Sequence, residues 1–233
     1  MATTSVRDFD AVIFDLFGTL IPTGSRASRE KHLAEMAQAL GVDPSGFSDR
    51  FFRTFPERML GATGSLEDTV TRFATEMGHP PDAGSLRRAA DIRMAYHAGL
   101  LEAGQLSLPA LEVLKRRGLR LAVLTNCSDE VTRLWSSCAL APLFDVVVFS
   151  CREGVGKPDP RAYRTVLDRL NLPADRCVFV GDRDGRELPG ASAVGLRVFR
   201  YFFPEGERYH VQSAAEWNGP TLGSLDELCR VGP

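Results

Sequence analysis

Ala11–Phe17 reads AVIFDLF and is followed at once by Gly18-Thr19. Its β-branched and aromatic residues show no helical period, so the run reads as a buried parallel strand covered on both faces. Asp15 interrupts it between Phe14 and Leu16. A carboxylate in such a strand is costly unless a cation or catalysis compensates it.

Four later runs share this character: Arg120–Asn126 (RLAVLTN), Val146–Ser150 (VVVFS), Cys177–Asp182 (CVFVGD) and Arg197–Tyr201 (RVFRY). Helical patterns alternate with them over Leu108–Gly118, Ser128–Leu140, Asp159–Asn171 and Gly185–Gly195. Strand alternating with helix predicts βαβ units and an α/β fold with a parallel, Rossmann-like sheet. Residues 22–104 depart from this rhythm. They hold four helical patterns, Ser25–Leu40, Ser45–Leu60, Ser65–Met77 and Ser85–Leu101, and no strand. One crossover needs far less chain. The expectation is a core of residues 1–21 and 105–233 carrying an inserted all-helical unit, residues 22–104. Its hinges fall near Ile21–Gly24 and Gly104–Leu106.

Composition narrows the function. The 233 residues are 44% hydrophobic and 25% charged, as in globular proteins, and the net charge is −2. That balance argues against nucleic-acid binding by phosphate neutralisation. No run approaches the roughly 18 apolar residues of a membrane span, and Met1–Asp10 lacks the apolar segment of a signal peptide. Five scattered cysteines without C-x-x-C spacing fit a reducing cytoplasm. A cytoplasmic monomer or homodimer acting on a small molecule is the expectation.

Ligands of open parallel sheets bind beyond the carboxyl ends of the strands. Those ends carry Asp15, Thr125-Asn126, the Gly156-Lys157-Pro158-Asp159 stretch after the third run, and Gly181-Asp182 with Asp184 and Glu187 following. Lys157 is one of only three lysines, beside Lys31 and Lys115.

In order, spacing and flanking strands, FDLFGTL, LTN, GKPDP and GDRDGRELPGA resemble the four motifs of the haloacid dehalogenase (HAD) superfamily, across essentially the whole chain. The helical insert resembles the cap of its C1 subclass. The resemblance implies a hydrolase with Asp15 as nucleophile, forming a covalent aspartyl intermediate that water hydrolyses. Lys157 would hold Asp15 as carboxylate, and Thr125 and Asn126 would donate hydrogen bonds to the transferring group. Mg²⁺ would be held by Asp15, the Phe17 carbonyl and Asp182, with Glu187 supporting its water.

One position departs. Phosphatases of the family carry a second Asp two residues after the nucleophile, as general acid; here it is Phe17. General acid catalysis is worth about 10²–10⁴-fold, so good leaving groups such as acyl phosphates would suffer least. The family's dehalogenases carry an aromatic residue there, because halide leaves without a proton. Yet they lack the first motif-four acid, here Asp182. A Mg²⁺-dependent phosphatase acting on a small phosphate ester or acyl phosphate is therefore favoured. The alternatives are a 2-haloacid dehalogenase and a catalytically weak binding protein.

Elsewhere bland readings win. His32, His79, His97 and His210 read as surface or core residues, and Arg26, Arg29 and Lys31 as a solvated helix face. Trp135 and Trp217 read as packing residues, and Tyr201–Phe203 as candidates for the rim of the site.

Overall fold

The computed structural model describes residues 9–182, 186–204 and 217–229. Five parallel strands form one sheet: β1 (Ala11–Phe14), β2 (Arg120–Thr125), β3 (Val146–Phe149), β4 (Cys177–Gly181) and β5 (Arg197–Arg200). Their order is β3-β2-β1-β4-β5, which puts β1 at the centre with Phe14 level with Val123 and Val180. Each strand falls inside a predicted run and stops short of its carboxyl end. β1 closes at Phe14 because the Leu16 carbonyl accepts from the Leu20 and Ile21 amides, which turns the chain.

Between β1 and β2 lie α1 (Arg26–Leu40), α2 (Pro44–Arg53), α3 (Phe55–Arg58), α4 (Leu66–Glu76) and α5 (Ala83–Glu102). They bury their own cluster, which includes Leu33, Met36, Phe47, Phe51, Val70 and Phe73. Ser25 and Ser65 cap α1 and α4 through their hydroxyls, as Ser N-caps do. The predicted helix Ser45–Leu60 is split at Thr54. Pro56, in the first turn of α3, has no amide to extend the α2 ladder.

The remaining helices are α6 (Leu108–Arg116), α7 (Asp129–Leu134), α8 (Ser150–Glu153), α9 (Pro160–Leu170) and α10 (Glu187–Ala193). Strand residues alternate between two clusters. Val12, Phe14, Val123 and Val180 pack with Leu111, Leu114 and Trp135. Ile13, Leu124 and Phe179 pack with Tyr163, Val166 and Leu188. The predicted helix Ser128–Leu140 is α-helical only to Leu134 and then tightens to a 3₁₀ turn, Trp135–Ser137. There the Trp135 ring is buried against Phe144 and Phe149, as its packing reading expects. No described helix is long and apolar enough to cross a membrane.

Candidate active site

The carboxyl ends of β1, β2 and β4 and the loop before α9 converge. Lys157 Nζ forms ion pairs with Asp15 and, at 2.5 Å, with Glu187 Oε2. The lysine side chain is 3% exposed. Burial alone would lower its pKa, but Asp15 and Glu187 hold it above the ordinary lysine range. Burial and then the Asp15 charge push the Glu187 carboxyl up, with Lys157 opposing them. Thr19 Oγ1 donates to Asp15 Oδ2 at 3.4 Å.

Backbone geometry fixes these groups. Gly18 has φ +84°, and a Cβ there would lie 2.3 Å from Asp182 Oδ2, so the turn after β1 needs glycine to meet β4. A Cβ at Gly181 would stand 2.1 Å from Glu187 Oε1; the missing side chain is the space the carboxylate occupies.

The predicted substrate donors behave differently from one another. Asn126 spends its amide on the Lys157 backbone: Nδ2 donates to the Lys157 carbonyl and Oδ1 accepts from its amide, both at 2.8 Å. It therefore orients the lysine loop. Thr125 Oγ1 is buried and has no hydrogen-bond partner among the described residues. A buried hydroxyl in that state suits an incoming oxyanion.

Asp15, Asp182 and Glu187 each place a carboxylate oxygen within 4.8 Å of the others. With all three ionised, the carboxylates beside one lysinium carry two net negative charges, which a divalent cation would balance. An all-oxygen donor set selects a hard ion such as Mg²⁺. The fit to a divalent metal is good. Asp184 lies outside the described residues, as does His210.

A cavity of about 370 Å³ opens above Asp15, lined also by Phe17, Asn126 and Lys157. Its far wall comes from the helices between β1 and β2, with Arg29, His32, Arg58, Arg93 and His97 among its lining. His32 and His97 are buried, one of the two states read for them, and both line the cavity. Two readings are corrected here. Arg29 lines the cavity and is not on a solvated face. Tyr201 and Phe203 are buried, and none of Tyr201–Phe203 lines the cavity. The sequence reading missed Arg58, Arg93 and Glu130 altogether. Glu130 Oε1 pairs with Arg93 Nε at 2.5 Å, and Arg93 Nη1 donates to His32 Nε2 at 2.7 Å. Burial would raise Glu130, but the Arg93 and Arg58 charges hold it well below the carboxylate range.

Both histidines are neutral. Burial and then Arg93 lower His32 to about 3 and His97 to about 4. Each Nδ1 lies within 3.1 Å of the carbonyl one helical turn back and donates to it, which fixes the tautomer. Below the unfolded value of 6.5 the unfolded chain takes up protons that the folded one refuses. Stability is therefore expected to fall from pH 6.5 toward pH 4, by about 1.4 kcal/mol per pH unit for each histidine. Calorimetric melting across this range checks it. His97→Gln should flatten the slope, and a pH-independent Tm would refute the neutral assignment.

Comparison with known proteins places the chain among hydrolases of one family. A sequence profile of haloacid dehalogenase-like hydrolases matches residues 9–195. A protein of Mycobacterium tuberculosis named as a phosphatase is 35% identical over 132 residues, 56% of this chain and 60% of the relative. The chain thus spans less than two thirds of that relative. A ribulose-1,5-bisphosphate 5-phosphatase of Halopiger xanaduensis is 30% identical over 94% of this chain and 98% of its own. Solved structures share the fold. A 2-haloacid dehalogenase of Pseudomonas syringae pv. Tomato DC3000 superposes with TM-score 0.64 at 24% identity, covering 96% and 97% of the two chains. A HAD family enzyme of Bacteroides thetaiotaomicron in a magnesium complex superposes with TM-score 0.68 at 15% identity, covering 88% and 99%.

Proposed function

The chain belongs to the haloacid dehalogenase-like hydrolases, and from that premise we propose that it is a Mg²⁺-dependent phosphatase of small organic phosphates with Asp15 as nucleophile. The observation that carries this reading is the Lys157 ammonium between the Asp15 and Glu187 carboxylates, with Asp182 close enough to share a cation.

An Asp15 carboxylate oxygen attacks phosphorus, and the bond to the leaving oxygen breaks with its electron pair. Lys157 keeps Asp15 ionised and offsets charge on the transferring group, while Thr125 Oγ1 donates to one of its oxygens. Water then cleaves the aspartyl phosphate and regenerates Asp15. Asp15, Asp182 and Glu187 would hold the metal with the Phe17 carbonyl. When bound, it neutralises charge on the phosphoryl oxygens. The chain from residue 22 to 104 acts as a cap that closes the cavity and excludes water.

Phe17 lines the cavity and packs edge-on to His97, centroids 6.3 Å apart. It brings no proton to the leaving group. Activity on a panel of phosphate esters with Mg²⁺ is therefore expected, lost with EDTA and restored by Mg²⁺. Acyl and aryl phosphates should outpace alkyl phosphates by about 10²–10⁴-fold beyond what family members with the acid show. Phe17 also favours the second reading, dehalogenation. Halide release from 2-chloropropionate in EDTA, with no phosphatase activity, would establish that instead. Ligand binding without turnover of any leaving group would point to a binding protein.

A further inference from the structure

We propose that the cavity over Asp15 takes organic phosphates carrying a second anionic group, a carboxylate or another phosphate, and that Arg58 reads that group; this rests on the phosphatase reading. Arg58 closes α3 and is 6% exposed, yet no described carboxylate forms an ion pair with it. Its partners are neutral. Nη1 donates to Ser128 Oγ at 3.2 Å and Nη2 to the Phe51 carbonyl at 2.7 Å, while the guanidinium lies over the Phe51 and Phe55 rings. Nε is buried with no hydrogen-bond partner.

A buried, unpaired guanidinium is expensive to keep. Burial and then the neighbouring Arg93 charge act against its protonated form. Glu130, the acid that offsets it, is already engaged by Arg93 at 2.5 Å. Neutral His32 and His97 add no charge of either sign. This end of the cavity therefore holds the buried Arg58 and Arg93, with Arg29 also in its lining, against the Glu130 carboxylate, and a further negative charge is accommodated there.

The reacting phosphate does not supply that charge, because it belongs at Lys157 and the acidic cluster. The cavity lining also has apolar side chains, among them Phe17, Leu33 and Leu100. The volume of about 370 Å³ sits at the small end for ligand pockets. The chemistry selected is two anionic ends joined by a short body. The Ser128 contact also ties Arg58 to the segment after β2, so the second anion would be read where the α1–α5 helices meet the sheet edge.

Ethyl phosphate, phosphoglycolate and ethane-1,2-diol bisphosphate differ in the tail alone, and the last two separate carboxylate from phosphate. With Mg²⁺, wild-type kcat/KM should favour at least one doubly anionic ester over ethyl phosphate by about 10- to 100-fold, the range for a hydrogen bond between charged groups. Arg58→Gln should remove most of that ratio, and Arg58→Lys should restore part of it. A wild type without the preference, or an Arg58→Gln enzyme that keeps it, overturns the assignment. Circular dichroism checks folding, and Arg58→Met serves if the glutamine variant does not fold. If the wild type hydrolyses none of the three and no acyl or aryl phosphate either, the phosphatase reading fails. The assignment is then decided by calorimetry, where phosphoglycolate binding no tighter than ethyl phosphate overturns it.

Discussion

Asp15→Asn is expected to abolish turnover, lowering kcat by more than about 10⁴-fold, the scale on which losing a covalent nucleophile is felt. The substitution is nearly isosteric. Asp15 N donates to the Val180 carbonyl through the backbone, a bond that survives, and Lys157 keeps Glu187 as a partner. The fold should therefore be retained while the chemistry is lost. The acid cluster also gives up one of its three carboxylates, so divalent-cation affinity should fall as well. Steady-state assays, together with mass spectrometry of wild-type enzyme quenched during turnover of an acyl phosphate, check this. A phosphoryl adduct is expected on Asp15. Activity of the asparagine variant within tenfold of wild type would require another nucleophile.

Lys157→Met is expected to damage both activity and stability. The ammonium is the cation between two buried carboxylates, and its removal leaves Asp15 and Glu187 facing each other. Stripping one partner from a buried ion pair costs about 3–5 kcal/mol. In a chain of this size that is roughly 6–20 °C in Tm. Loss of charge stabilisation at the transferring group should lower kcat by about 10²–10³-fold. The pH sign separates this residue from the histidines. The folded pKa of Lys157 is raised, so its contribution is fully present below the ordinary lysine value and is lost only in strong alkali. No change between pH 6 and 9 is expected from it. Calorimetry with and without Mg²⁺ is the measurement, and a divalent ion should recover part of the lost Tm. An undiminished melting temperature would mean that the carboxylates are compensated by something other than Lys157.

Much of the fold is legible in the sequence. Continuous apolar runs give parallel strands buried on both faces, and Ser25, Ser65 and Asp159 mark helix starts through the amides they cap. Where the reading slipped, a local event overrode the period. Pro56 broke a helix, and the buried Trp135 ring tightened another. Glu187 was legible as an acid of the site, but its partnership with Lys157 was not.

The helix wall was the least legible region. Nothing along the chain marks Arg58, Arg93 or Glu130, and His32 and His97 read as surface or core residues. Their meaning depends on partners far away in sequence: Arg93 meets Glu130 and His32, and Arg58 meets Ser128. The sequence by itself determined which strand ends carry the chemistry, because hydrophobic patterning is local and strand ends follow from it. Only the tertiary structure decided which charges are buried, which are paired and which histidines stay neutral. Desolvation and Coulomb energy depend on distances in space, and spacing along the chain does not encode them.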